Sequence, residues 1–414
     1  VNAQSLTTNV GGTTKLNDNV TTTGNQTYGD AVTLPGELTA TQGDISFESP
    51  VTLQNNVAID TSRGNGNIVF NNTVDGTTTN GQDLTLTAGT GDITVNGAIG
   101  SNKELGNLIV NSGGQTTFND VKANTLSTDR PGTTQLNGNV TTTTSQTYED
   151  PVTVSGKLTA TQGDISFQSP VTLQNNVLVD TSAGAGNIIF NQTVNGNNDL
   201  TLKAGNGNLT FKDATSLGNL KIENANNVEL AAITASSITQ IAGTGTTTFN
   251  GPVTTNASGG INLIGTNFAI EKQVTTQNQG TFTVNNSGNF NTAADANLNL
   301  DGAFTQSGTG NVNIASNITT TNDNITFNSP VTLTNKVFFD TGAGAGNIVF
   351  NNTVNGNNDL TLNADTGDII FTGAIDLRNI IANTAGKTTF NAVTANSLTT
   401  DAGGTTQLNS SVIT

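Results

Sequence analysis

Apolar residues in this chain come in short alternating runs. Asp44-Ile45-Ser46-Phe47, Asn187-Ile188-Ile189-Phe190 and Thr281-Phe282-Thr283-Val284 put large side chains at every second position. That is the pattern of a strand with one buried face. The runs are joined in a fixed way: a large apolar residue, three small or polar residues, then Val or Ile. Phe47/Val51, Phe70/Val74, Phe167/Val171, Phe190/Val194, Phe327/Val331 and Phe350/Val354 all follow it. A four-residue step suits a helix, but the residues between are Ser-Pro, Asn-Thr or Asn-Gly in a background of Thr and Val, which favours strands and corners. The expectation is that each Phe ends a strand pointing inward, the polar residues turn a corner, and the Val opens the next strand. Phe47 and Phe70 are 23 residues apart, Phe350 and Phe371 are 21 apart. Such a period predicts one coil of a β-solenoid.

A longer repetition overlies this one. Val1 to Leu34 matches Val121 to Val154 at an offset of 120, and Ser169-Pro170-Val171-Thr172-Leu173 returns as Ser329-Pro330-Val331-Thr332-Leu333 at a further offset of 160. Val393 to Thr414 repeats the opening segment, so the chain begins and ends in one phase, like a window on a longer array. Long repeats are read near 1–120, 121–220 and 321–414, with a divergent stretch over 221–320 that keeps the strand texture. The expected architecture is all-β: a right-handed parallel β-helix, single and continuous over 1–414, with about 20 residues per coil. At roughly 4.8 Å per stacked strand, such a solenoid would be on the order of 100 Å long. Relative to Val194-Asn195-Gly196-Asn197-Asn198-Asp199-Leu200, the first copy inserts four residues within Asp75 to Gln82. This is expected to be a corner that bulges outward without disturbing the stack.

Composition changes the picture in two respects. Only 33% of the 414 residues are hydrophobic, and Met, Cys, Trp and His are absent. Low apolar content by itself suggests disorder, but the alternation shows a thin core that is patterned. Without cysteine there is no disulfide framework, and a solenoid needs none because each coil is pinned by its neighbours. The net charge of -17, from 13 Lys and Arg against 30 Asp and Glu, disfavours a nucleic-acid partner and a basic membrane-binding face. No stretch is long and apolar enough for direct membrane insertion, and Val1-Asn2-Ala3-Gln4 carries no signal core. Export and anchoring are expected to lie outside this sequence.

Asp-Thr-Ser/Gly occurs at Asp60-Thr61-Ser62, Asp180-Thr181-Ser182 and Asp340-Thr341-Gly342. Aspartic proteases carry such a motif twice, so that two carboxylates can share a proton. Three copies, each at the same place in a structural repeat and before a Gly-rich corner, are better explained by turn chemistry. Gly89-Thr90-Gly91-Asp92 and Thr366-Gly367-Asp368 resemble calcium-binding β-roll turns without the full nonapeptide. Calcium at an acidic corner is thus an open alternative; otherwise no cofactor is expected, and no metal ligand is assigned. Without His or Cys the usual zinc sites and a Ser-His-Asp triad are out of reach in this chain. No Asp or Glu clusters with Arg and aromatics as a polysaccharide-cleaving β-helix would require, and the only tyrosines, Tyr28 and Tyr148, occupy matching positions. Thr21 to Thr23 and Thr141 to Thr144 suggest ice-binding rows, but such runs fall at turns as often as on strands. The Asn-Xaa-Thr triplets, such as Asn19-Val20-Thr21, follow from the abundance of both residues.

Leu105-Gly106-Asn107-Leu108-Ile109-Val110-Asn111-Ser112, the strand Asp359-Leu360-Thr361-Leu362-Asn363-Ala364, and Ser397-Leu398-Thr399-Thr400-Asp401-Ala402-Gly403-Gly404 have a further significance. The first two recur in part at Leu217-Gly218-Asn219-Leu220 and Asp83-Leu84-Thr85-Leu86. Together they resemble the repeat region of large filamentous-haemagglutinin-like exoproteins of Gram-negative bacteria, cyanobacteria included. The resemblance implies a right-handed β-helix at the cell surface or outside the cell, with a role in adhesion or matrix. The expected function is therefore a non-catalytic structural rod, with no catalytic residue assigned. Its expected partners are neighbouring repeats, further copies of itself, and glycans of a cell surface or matrix. The alternative is a homopolymeric filament of solenoids stacked end to end.

Overall fold

In the computed structural model, which describes residues 1–414, the chain has no helix. It forms two compact units, Val1–Gly207 and Asn208–Thr414. Each is a β-solenoid of parallel strands whose coils turn three corners, so that three ladders of strands line each unit.

The first unit shows how the sequence dictates this. One ladder runs through Leu6–Thr8, Gln26–Tyr28, Ile45–Phe47, Ile68–Phe70, Ile93–Val95, Gln115–Phe118, Thr133–Leu136 and Val152–Val154. Each strand pairs in register with the strand one coil on, Phe47 opposite Phe70 and Tyr28 opposite Phe47. The corner reading holds: Ile45–Phe47 ends on the aromatic ring, and Val51–Leu53 opens on the next face with Val51 buried. Coil length is elastic, from 18 residues between Val20 and Leu38 to 27 between Val57 and Leu84. The extra residues go into corners. In the insertion, Thr77 to Gly81 are exposed, and Gln82 folds back so that its Oε1 accepts from the Thr77 and Thr78 amides at 2.8 and 3.1 Å.

The core is a set of stacked columns. Tyr28, Phe47 and Phe70 stack at 5.0 and 4.6 Å, Tyr148, Phe167 and Phe190 at 5.1 and 5.0 Å, and Phe350 lies 5.2 Å from Phe327 and 4.8 Å from Phe371. In-register parallel pairing enforces this, because identical side chains must follow one another at about the strand spacing. Val, Ile and Leu fill the remaining inward positions. Residues 221–320, divergent in sequence, keep the same arrangement: Phe282 pairs with Phe304, and Val253 with Val274.

One corner column is built from Gly followed by Asp or Asn. The amide of Asp44 donates to Asn25 Oδ1, Asn67 to Asp44, Asp92 to Asn67 and Gln115 to Asp92, at 2.7 to 3.0 Å. Each side-chain oxygen thus satisfies a backbone donor that the corner removes from the strand ladder. The preceding glycines are required for space: a Cβ on Gly66 would overlap the Gly43 carbonyl, and one on Gly91 the Gly66 carbonyl. The second unit repeats the device through Asn324, Asn347, Asp368 and Lys387.

The long repeat is not a whole number of coils. Leu126–Thr128, the counterpart of Leu6–Thr8, pairs with Leu108–Val110 and Gln146–Tyr148, in the ladder that began with Val20–Thr22. The second copy therefore lies one face round from the first.

Candidate functional surface

The Asp-Thr-Ser/Gly motifs are corners. Asp60 Oδ1 accepts from the Ser62 amide at 2.8 Å, Asp180 Oδ1 from the Ser182 amide at 3.1 Å, and Asp340 Oδ1 from the Gly342 amide at 2.9 Å. The threonine is fully buried each time and donates across the turn, Thr61 to the Gly66 carbonyl, Thr181 to Gly186 and Thr341 to Gly346. In register beside the aspartates stand Thr39 and Thr87 for Asp60, Thr159 and Lys203 for Asp180, and Thr319 and Asn363 for Asp340. None brings the second carboxylate that proton sharing needs. Asp180 is partly buried, which raises its pKa, but bonds from Ser182 and the Lys157 ammonium 3.5 Å away outweigh this and lower it.

Asp92 and Asp368, of the calcium-like turns, belong to the corner column and spend an oxygen on the Gln115 and Lys387 amides. No three acidic side chains come together in a way that could hold a metal ion. No helix is long and apolar enough to cross a membrane.

Two buried polar clusters, each present twice, are the sites that reading along the sequence missed. In the first, Tyr28 donates to Gln26 Oε1 at 2.8 Å, and Gln26 Nε2 donates to the Thr39 carbonyl and Thr22 Oγ1 at 2.8 and 3.2 Å. Tyr148, Gln146, Thr159 and Thr142 reproduce it. Burial pushes both phenols far above their ordinary pKa. In the second cluster, Thr8 and Thr14 donate to the Asp30 carboxylate at 2.6 and 3.0 Å, and Thr128 and Thr134 to Asp150 at 2.7 and 2.8 Å. The hydrogen bonds match, yet the carboxyls titrate in opposite directions. The Thr8 hydroxyl is the main influence lowering the pKa of Asp30, whereas burial raises that of Asp150. The difference lies in cover: the coil over Asp30, residues 1–19, is itself largely exposed, whereas the strands over Asp150 are buried on their inner side. The available signal was Gln-Thr-Tyr-Xaa-Asp, at Gln26–Asp30 and again at Gln146–Asp150.

The outer surface carries rows with one residue per coil. In the second unit Thr234, Thr254, Thr275, Asn299 and Thr319 form one row, and Asn262, Thr283, Thr305 and Thr326 lie in another. Paired outward threonines of the kind a flat ice-like lattice needs are confined to two neighbouring coils at Thr21, Thr23, Thr39 and Thr41, and again at Thr141, Thr143, Thr159 and Thr161. Two open troughs follow the rows: one of about 520 Å³ lined by Asp340, Asn363, Asp365, Asn383 and Asp401, and one of about 480 Å³ lined by Thr275, Asn299, Asp301 and Thr319. Asn383 donates to Asn363 at 2.8 Å, so the amide ladder continues on the outside. Chemically these surfaces offer hydroxyl, amide and carboxylate groups at a regular axial spacing. Comparison with known protein families, with curated proteins and with solved structures finds no match to this chain.

Proposed function

We propose that the chain is a non-catalytic structural segment of an extracellular or cell-surface protein of the filamentous-haemagglutinin-like kind, serving as a spacer or adhesive surface. The observation that carries the reading is the division of labour between inside and outside. Inward positions are filled by aliphatic and aromatic columns, while the outer rows repeat Thr, Asn and Asp from coil to coil. A surface of aligned hydroxyls and amides suits a partner that is itself repetitive and rich in hydroxyl groups, such as a matrix or cell-surface glycan. The acidic surface keeps such a strand-rich segment from sticking to its neighbours non-specifically.

The test uses antibodies against the purified chain on unpermeabilised cells of the source organism, together with binding of the chain to immobilised polysaccharides. Surface labelling and saturable glycan binding are the expected results. Labelling only after permeabilisation would overturn the location, and release of new reducing ends from a polysaccharide would overturn the non-catalytic reading.

A further inference from the structure

Of the 17 Phe and 2 Tyr, all but one are buried. The exception is Phe338, which faces outward from its strand and is partly exposed. The fold does not require a ring there, because Ala58 and Leu178 hold the same place in the earlier copies. Phe338 lies opposite Thr361, and Thr361 opposite Ile381, an isoleucine that is 40% exposed. Strands continue on both sides of this column: the Phe338 amide donates to Asn317 Oδ1 at 2.9 Å, and Thr399 lies opposite Ile381. The three side chains are therefore exposed sideways, as a ridge on the flank of the stack.

Hydrogen-bonding columns border the ridge on either side. Two residues further along the same strands stand Asp340, Asn363 and Asn383, one wall of the 520 Å³ trough. Two residues earlier stand Lys336, Asp359 and Asn379, which line a second hollow of about 310 Å³. Asp359 is held by the Arg378 guanidinium at 2.6 and 2.7 Å, so its charge is compensated. Asp340 commits Oδ1 to the Gly342 amide.

We infer that this ridge is a binding site for a neutral β-1,4-linked polysaccharide, lying along the solenoid axis with its sugar rings on Phe338, Thr361 and Ile381. This rests on the glycan-binding reading above and narrows it to one place and one sugar geometry. A pyranose whose substituents are all equatorial has two C–H faces and a polar rim. The face packs on the Phe338 ring and on Ile381, while the rim meets the amides and carboxylates of the bordering columns. Ridge residues follow one another at about 4.8 Å, close to the length of one sugar unit in an extended β-1,4 chain, so the three meet consecutive rings. An α-linked chain winds into a helix and turns its faces away from a straight ridge. A polyanionic chain is opposed by Asp340 and Asp365 along one border and by the net charge of -17.

The chain has no tryptophan, so F338W places a single indole at the site. Titrating the full F338W chain with cellohexaose is expected to shift the indole emission to the blue in a saturable way. L178W, at the counterpart flanked by Asp180 and Lys203 instead of Asp340 and Asn363, is expected to stay unchanged. In affinity gel electrophoresis through hydroxyethylcellulose, F338A should bind roughly tenfold or more weakly than the parent, as truncation of a central aromatic contact does. Ala58 at the matching place makes this a substitution the coil accepts. A silent F338W, equal retardation of F338A and parent, or a response to hexalysine in place of cellohexaose overturns the inference. Saturable binding of the parent to other polysaccharides would then leave the broader glycan reading standing, and no binding to any polysaccharide would overturn both.

Discussion

Phe350→Ala tests the view that stability in each unit is passed from coil to coil by the aromatic columns. The ring is fully buried and stacked between Phe327 and Phe371, at interplanar angles of 3° and 5°. Truncating a buried Phe costs about 3–5 kcal/mol, and the two stacked pairs account for roughly 1–3 kcal/mol of that range. The value should fall towards the upper end. Ile348–Phe350 is pinned in register on both sides, to Ile325–Phe327 and Ile369–Phe371, so the backbone cannot collapse into the cavity. In a stack where each coil touches only its neighbours, the loss is felt first at those interfaces. About 4 kcal/mol is about three decades of amide-exchange protection, at 1.36 kcal/mol per decade. Native-state hydrogen exchange read by mass spectrometry should therefore show a drop of that order in these three strands, and little change in Ile261–Gly265. A drop below tenfold would refute the column argument. An equal drop in Ile261–Gly265 would refute the coil-by-coil argument, because it would mean the unit opens as a whole.

Other outcomes follow from the corners and the buried clusters. Gly186→Ala, whose methyl would overlap the Gly163 carbonyl, should cost about 3 kcal/mol. Gly403→Ala, whose methyl meets nothing nearer than 3.7 Å, should leave the thermal midpoint close to the parent's. Thr181→Val should cost about 1–3 kcal/mol in chemical denaturation, because it leaves the Gly186 carbonyl without the bond it now accepts. The pH dependence should differ between the two carboxyls. Asp150 has its pKa raised above the ordinary 3.8, so the fold favours its protonated form. The stability it contributes is complete below 3.8 and is lost as pH rises through 3.8 to the raised value. Asp30, lowered, works the other way: its contribution is present above 3.8 and is lost as pH falls through its depressed value. Carbon-detected NMR titration of the two carboxyls should place Asp150 above 3.8 and Asp30 below it; the reverse order would refute the burial argument.

Much of this fold was legible because a solenoid writes its period into the sequence. Phe47 and Val51 mark a corner, and Phe47 and Phe70 sit opposite each other one coil apart, as their spacing implied. The Gly-Asp and Gly-Asn pairs were visible too, but their role was not. A turn residue that serves its own loop and one that serves the coil above look the same until the stack is built, as at Asp44 beneath Asn67. Asp30 and Asp150 were missed for a related reason. A carboxylate two residues after a tyrosine looks like an ordinary solvated group, and what encloses it is a pair of threonines 22 and 16 residues earlier. The shift between copies was hidden because a 120-residue offset looks like a whole number of turns only if every coil has the same length.

That shift governs how the protein can be gripped. Any side-chain arrangement present in both early copies, such as the Thr141 and Thr161 group and its counterpart at Thr21 and Thr41, faces a different direction in each. A rigid two-armed ligand approaching from one side can hold only one of them, so the gain in effective concentration that duplicated epitopes normally bring is withheld. A ligand flexible enough to wind around the unit would recover it. Repetition in this chain therefore multiplies footholds for pliable, wrapping partners and leaves stiff bivalent ones no better served than by a single copy.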